Sequence, residues 1–202
     1  MRLNPKTSTF GVTSGKLLGY MVNERGIEVD PNKIKLILNM LMPRIEKDIR
    51  GFLGILQYIS RFIARLTDIC EPIFRLLRKS QPIVWDDQCQ RAFERIREYL
   101  LSPLVLVSPT PGCPLLLYLL VSDIALRCML ALLDDSKKKQ AIYYLSKRML
   151  DYEMRYVMIE RFCFALVWAT WRLRHYMTEY SVHLISCLDS LRYLFDRPAL
   201  IG

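Results

Sequence analysis

Leu115-Leu-Leu-Tyr-Leu-Leu-Val121, then Ser-Asp-Ile, then Ala125-Leu-Arg-Cys-Met-Leu-Ala-Leu-Leu133 is the stretch that decides the fold. Pro114 to Val121 is the richest apolar run in the chain, and it is strand-length. A membrane helix needs about 18–20 such residues. The reading is therefore two strands, Leu115–Val121 and Ala125–Leu133. Asp134-Asp-Ser-Lys-Lys-Lys139 is a polar turn, and Gln140–Ser146 is a third strand. Downstream, Tyr152–Met177 reads as one long helix and Val182–Ser186 as a fourth strand, with a further helix beginning over Ser190–Phe195. The order is strand, strand, strand, helix, strand, helix.

Upstream lies Ser102–Pro114, with four prolines and one glycine, the strongest boundary signal in the chain. Before it the pattern is helical. Asp86–Leu101 points Ala92, Phe93, Ile96 and Leu100 inward. Glu71–Arg78 is a short helix. Glu46–Leu66 carries Ile49, Phe52, Leu53, Leu56, Ile59 and Ile63 as one apolar stripe. Asp30-Pro31 starts a helix with Ile34, Ile37, Leu38 and Leu41 at helical spacing, because Asp caps well and Pro suits the first position. Pro43 ends it. Lys16–Val22 and Ile27–Val29 read as a hairpin closed by Asn23-Glu-Arg-Gly26.

Composition narrows the function. Of 202 residues, 52% are hydrophobic, enough for a core, and mean hydropathy is +0.15. Lys and Arg outnumber Asp and Glu by 29 to 20, giving a net charge of +9. That balance favours a polyanion such as nucleic acid over an acidic protein surface. No membrane span or signal-peptide core is present in the sequence, so an intracellular setting, cytoplasmic or nuclear, is expected. Cys70, Cys89, Cys113, Cys128, Cys163 and Cys187 are scattered, with no Cys-x-x-Cys pair, and the only histidines are His175 and His183. Zinc needs clustered ligands, so the cysteines read as small buried hydrophobes.

Six segments in order carry a family resemblance. Thr9-Phe-Gly-Val-Thr-Ser-Gly-Lys-Leu-Leu-Gly-Tyr20 resembles the lead into the primer-grip hairpin of reverse transcriptase. Gly26-Ile-Glu-Val-Asp-Pro-Asn-Lys-Ile34 is similar to the entry into its thumb. Ile49-Arg-Gly-Phe-Leu-Gly-Ile-Leu-Gln-Tyr-Ile-Ser-Arg-Phe62 resembles the thumb helix, and Trp85–Leu101 the connection helix. Ala141-Ile-Tyr-Tyr-Leu-Ser-Lys147, and Tyr156-Val-Met-Ile-Glu160 with Ala165-Leu-Val-Trp168, resemble an RNase H-like strand and helix. Together they resemble the Pol polyprotein of gypsy-type (Metaviridae) LTR retrotransposons.

The resemblance implies an α+β / α/β chain. An N-terminal hairpin with a helical thumb and connection precedes an RNase H-like mixed sheet with a long helix. Residues 1–101 would be the end of the palm, thumb and connection, 102–113 a linker, and 114–202 a C-terminally truncated RNase H-like domain. It also implies ancestral RNA-directed DNA synthesis and hydrolysis of RNA in RNA–DNA hybrids. Polymerisation needs three palm carboxylates holding two magnesium ions. Leu133-Asp134-Asp135 only imitates the palm's turn, since it follows an RNase H-like strand, and the chain is not expected to polymerise by itself.

For RNase H chemistry the resemblance places Asp123 at the first carboxylate position and Glu160 at the second, both as Mg2+ ligands and catalytic residues. Two magnesium ions about 4 Å apart would flank the scissile phosphate. At the third position stands Cys187, a poor ligand for a hard cation. Asp189 lies two residues on, displaced by about 6–7 Å along a strand. A fourth carboxylate would come from a later helix. The site is thus expected to be degenerate. Plainer alternatives stand beside it: Asp123 as a strand-end surface carboxylate, Glu160 as a partner of Arg155 or Arg161.

Arg44, Lys47, Arg50, Arg61 and Arg65 are the candidate phosphate contacts, because thumb helices of relatives lie against the template–primer. Lys147, Arg148, Arg172, Arg174 and His175 form a second candidate surface, with ordinary solvated helix faces as the alternative. Phe162, Phe164, Trp168, Trp171 and Tyr176 are expected to pack the sheet rather than stack on bases. The expected partners are an RNA–DNA hybrid or duplex and the remainder of the polyprotein. The competing readings are a Pol piece with little activity of its own, a non-catalytic nucleic-acid-binding module, and an inert retroelement relic.

Overall fold

Residues 13–77, 83–134 and 136–186 are described by the computed structural model. The first sheet is antiparallel, in the order β1 (Ser14–Leu17), β2 (Tyr20–Asn23), β3 (Gly26–Val29) and β4 (Val105–Leu106). The expected single strand over Lys16–Val22 is split at Leu18-Gly19. Both residues have positive φ, +50° and +80°, as a two-residue hairpin turn that matches strand twist demands. The Tyr58 hydroxyl donates to the Leu18 carbonyl at 2.8 Å. A Cβ on Gly19 would lie 2.0 Å from that hydroxyl oxygen, so only glycine fits. The 102–113 segment is more than a linker, since β4 pairs with β3 through Ile27↔Leu106.

Four α-helices lie between β3 and β4. In α1 (Pro31–Leu38) the Asp30 side chain accepts from the Asn32 N–H at 3.0 Å and Pro31 sits in the first turn. The helix stops well before Pro43. Arg97 donates to the exposed Leu38 carbonyl at 2.7 Å, and Leu41 lies outside the helix, 88% exposed. The expected helix over Glu46–Leu66 ends as α2 (Glu46–Ile59), passes through a 3-10 turn at Ser60–Phe62, and restarts as α3 (Leu66–Arg75). Arg65, at φ +59°, makes the break. The break lets the consecutive residues Phe62 and Ile63 both go inward. One continuous helix would turn them about 100° apart. The short helix expected at Glu71–Arg78 is thus the end of α3. In α4 (Asp87–Leu100) the Asp86 side chain accepts from the Cys89 N–H at 2.8 Å.

Ile37, Ile49, Phe52, Leu56, Ile59, Ile73, Phe93 and Ile96 form the first core. Each such side chain contributes about 1.5–3 kcal/mol by leaving water.

The second sheet runs β7 (Lys139–Arg148), β6 (Ala125–Leu133), β5 (Leu115–Val121), β8 (Val182–Ile185), with β5 and β8 parallel and the other pairs antiparallel. Leu115, Leu117 and Leu119 alternate inward against α5 (Met158–Arg172), whose Phe162, Ala165 and Ala169 are buried. The long helix expected over Tyr152–Met177 is three pieces. Glu153–Arg155 is a 3-10 turn, α5 follows, and α6 (Arg174–Glu179) begins after a break at Leu173. The Thr170 hydroxyl lies 3.0 Å from both the Leu166 and Val167 carbonyls. Such back-bonding competes with the helix ladder and bends it. The helix expected at Ser190–Phe195 lies outside the described residues.

Side chains join the two layers. Val107 N–H donates to the Ala141 carbonyl at 2.9 Å. The Ser146 hydroxyl accepts from the Thr67 N–H at 3.1 Å and donates to its hydroxyl at 2.5 Å. Arg127 pairs with Asp68 at 3.0 Å and Arg148 with Glu71 at 3.3 Å. No helix among the described residues is long and apolar enough to cross a membrane.

Candidate functional site

The carboxylate corner is built where β5 turns into β6. Ser122 closes the turn: its N–H donates to the Ala125 carbonyl at 2.9 Å, and its hydroxyl accepts from the Ala125 N–H at 3.1 Å. Asp123 is pushed out at the tip, with its side chain 90% exposed. Glu160, in the first turn of α5, is also exposed. Its Oε2 accepts from the Val157 N–H at 3.0 Å, which caps its own helix.

The side chain that meets Asp123 is Arg161, with Nη1 2.9 Å from Oδ1. The structure therefore brings Asp123 to Arg161, while Glu160 turns to its own helix end. Cys187 and Asp189 lie outside the described residues. Magnesium wants several oxygens in near-octahedral order. Here one carboxylate faces a guanidinium and the other a backbone N–H, and no group of three or more His, Cys, Asp or Glu side chains able to hold a metal occurs among the described residues. The described residues do not fit the ion.

The first set of candidate phosphate contacts separates into kinds. Arg44, Lys47 and Arg65 are exposed. Arg50 is exposed but pairs with Glu46 at 2.6 Å, one helical turn away. Arg61 sits half-buried over the rings of Tyr20 and Tyr143, 5.6 and 4.5 Å from their centroids. Tyr20 also stacks on Tyr58 at 5.0 Å. Burial pushes the Tyr20 and Tyr176 hydroxyls up, and Arg61 pulls both partly back.

The second set is largely engaged within the chain. Lys147 donates to Glu153 at 2.6 Å and lies 4.4 Å from the Phe164 ring centroid. Arg148 pairs with Glu71. Arg174 lies over Trp171 at 5.8 Å, and Arg172 and His175 are exposed. A cleft of about 370 Å³ opens between the layers, lined by Gln57, Thr67, Ser146, Lys147, Trp168 and Arg172 among others.

The aromatic residues on α5 and α6 pack as expected except Trp171, which is 62% exposed. Among the cysteines Cys163 is exposed, against expectation. Burial pushes the Cys70 and Cys128 thiols up to about 12.

Two residues of this region escaped the sequence reading. Glu153 is 1% exposed and also accepts from the Leu150 N–H at 2.8 Å. Nothing in its spacing marks it as buried. Arg161 was visible only as a partner for Glu160, and the direction it takes follows from helix geometry.

Residues 85–184 match the model of the RNase H-like domain found in reverse transcriptase. The chain is 31% identical over 180 residues to the "Retrovirus-related Pol polyprotein from transposon 297" of Drosophila melanogaster, covering 89% of this chain and 16% of that protein. It is 26% identical over 200 residues to the "Transposon Tf2-3 polyprotein" of Schizosaccharomyces pombe, covering 99% of this chain and 14% of that protein. The chain thus spans about one-sixth or less of these relatives.

Two solved structures share the fold. Foamy viral protease-reverse transcriptase in complex with dsDNA superposes with a TM-score of 0.74 at 18% identity, covering 93% of this chain and 39% of that one. The same enzyme in complex with RNA/DNA hybrid gives 0.70 at 19% identity, covering 97% and 27%. With the order of elements described above, these matches place the chain in the gypsy-type LTR retrotransposon Pol family, with residues 85–184 matching the RNase H-like domain found in reverse transcriptase.

Proposed function

We propose that this chain is a nucleic-acid-holding segment of a retrotransposon reverse transcriptase, and that it cuts nothing by itself. In this reading residues 1–101 are the end of the palm, the thumb and the connection, 102–113 join them onward, and 114–202 are the RNase H-like part. The observation that carries the proposal is the exposed basic group at the start of α2 and α3. The Arg44, Lys47 and Arg65 side chains have no ion-pair or hydrogen-bond partner among the described residues. Such cations bind phosphates, release condensed counterions, and position a duplex without reading its sequence. RNA–DNA hybrid or duplex is the proposed ligand, and the remainder of the polyprotein the proposed partner. The solved neighbours in complex with dsDNA and RNA/DNA hybrid support this choice. Magnesium enters no step, since Asp123 and Glu160 are turned to other partners.

The test is cleavage of a labelled RNA–DNA hybrid with magnesium, beside Asp123→Asn and Glu160→Gln, together with hybrid affinity as a function of salt. The expected result is no cleavage by any of the three, and an affinity that falls steeply as salt rises. Cleavage by the wild-type chain that both variants lose would replace this reading with an active ribonuclease. A salt-independent or absent affinity would reduce the chain to a relic.

A further inference from the structure

The β5–β6 turn, the 3-10 turn at Glu153–Arg155 and the start of α5 meet at one side chain. Arg161 is only 15% exposed. Its Nη1 donates to Asp123 Oδ1 at 2.9 Å, its Nη2 to the Met154 carbonyl at 2.6 Å, and its Nε to the Tyr156 carbonyl at 2.7 Å. A guanidinium carries five donors in a rigid planar fork, and here its three nitrogens reach two pieces of chain, the β5–β6 turn and the Met154–Tyr156 segment. We infer that Arg161 is a built-in cation that ties the start of α5 to the Met154–Tyr156 segment and faces Asp123 of the β5–β6 turn with its outer edge, without a metal ion.

Among the described residues, charge and geometry both oppose a shared role with magnesium. The guanidinium faces Asp123 at 2.9 Å. A magnesium ion would have to displace it, shed water it gives up reluctantly, and find further oxygens. Glu160 is held to the Val157 N–H.

The three contacts are unequal. Asp123 is 90% exposed, so its ion pair with Arg161 is screened and weak. Met154 and Tyr156 present backbone carbonyls that need a partner where the chain leaves regular structure. Arg161 is therefore a positioning residue whose carbonyl contacts matter more than its ion pair. A lysine keeps the charge but lacks the fork, so it cannot restore all three contacts.

Two measurements on the whole chain test the inference. The first follows free Mn2+, as a magnesium probe, by its paramagnetic resonance signal, with metal-stripped wild type and Asp123→Asn. Both should leave the same free signal. Capture of Mn2+ that Asp123→Asn abolishes would overturn the inference, and this comparison stands even where an Arg161 variant does not fold. The second is thermal unfolding in EDTA and in millimolar magnesium. Wild type should melt at the same temperature in both. Arg161→Met should melt about 3–6 °C lower, on the scaling for chains of this size. Arg161→Lys should recover less than half of that loss, and Asp123→Asn should lose the least. An Arg161→Met chain that melts with wild type, or full rescue by Arg161→Lys, would sink the clamp. Loss of hybrid binding on changing Arg44 and Lys47 would leave it untouched, so its failure and that of the proposed function are separable.

Discussion

The cations at the start of α2 and those around the second sheet carry the same charge and serve different ends. Arg44 and Lys47 stand in water with no partner among the described residues. Arg127, Lys147, Arg148 and Arg161 each face a carboxylate of this chain, Asp68, Glu153, Glu71 and Asp123. Arg61 faces rings instead. The count of 29 Lys and Arg therefore overstates the surface available to a polyanion. What decides a cation's role is whether the fold supplies a counter-charge before solvent does. Around the second sheet, α3 and the 3-10 turn supply it. At the start of α2, where Glu46 and Asp48 are the first-turn acids, Glu46 is taken by Arg50.

The largest expected effect comes from moving one cation between the two sets. Glu153 is 1% exposed and holds both Lys147 Nζ and the Leu150 N–H. Glu153→Ala leaves both donors without it. Breaking a buried pair costs about 3–5 kcal/mol. Lys147 keeps some contact with water, with its side chain 26% exposed, so a somewhat smaller loss, about 2–4 kcal/mol, is expected here. Urea unfolding measures it. An unchanged midpoint would show that the partnered set is partnered only by proximity.

Next comes the unpartnered set. The double variant Arg44→Ala, Lys47→Ala should flatten the salt dependence of hybrid binding by roughly one to two units of log–log slope. Its stability should stay within about 0.5 kcal/mol of wild type, as for surface changes that break no contact. Arg148→Ala should do the reverse, lowering stability and leaving the salt slope alone, because that guanidinium already belongs to Glu71. A flatter slope in Arg148→Ala than in the double variant would erase the distinction between the sets.

How much of this was legible beforehand follows from the kind of signal each feature leaves. β5 and β6 have the bounds the apolar runs predict, Leu115–Val121 and Ala125–Leu133. Those runs end in Ser122-Asp123 and Asp134, residues that favour turns. The Asp30 cap was equally plain. The split of β1 from β2 was not, because Leu18 is an uncommon residue for positive φ and the signal rests on Gly19 alone. The break after Ile59 carries no glycine or proline, and only the need to bury both Phe62 and Ile63 explains it. At the candidate site, a strand end marked Asp123. Which of the adjacent residues Glu160 and Arg161 turns toward it depends on where α5 begins. That start moved from Tyr152 to Met158 once Glu153 was buried.

The smallest effect tests a cation that belongs to neither group cleanly. Lys16 is 55% exposed, yet it pairs with Asp30, whose side chain is 7% exposed and also caps α1. The Lys16 hydrogen bond, then the Asn32 N–H, hold the Asp30 carboxyl below its ordinary range. Because the folded value lies below the unfolded one, near about 3.9, this group adds stability above that pH. The contribution is lost as pH falls from there through the lower folded value. Asp30→Asn keeps a good cap but removes the titrating carboxyl, so its urea midpoint should fall less steeply than that of wild type below about pH 4. The two curves should differ most near neutrality and converge in acid. Curves that stay parallel throughout would mean that Lys16 is spent on solvent after all, and that its geometry beside Asp30 adds nothing a free surface cation lacks.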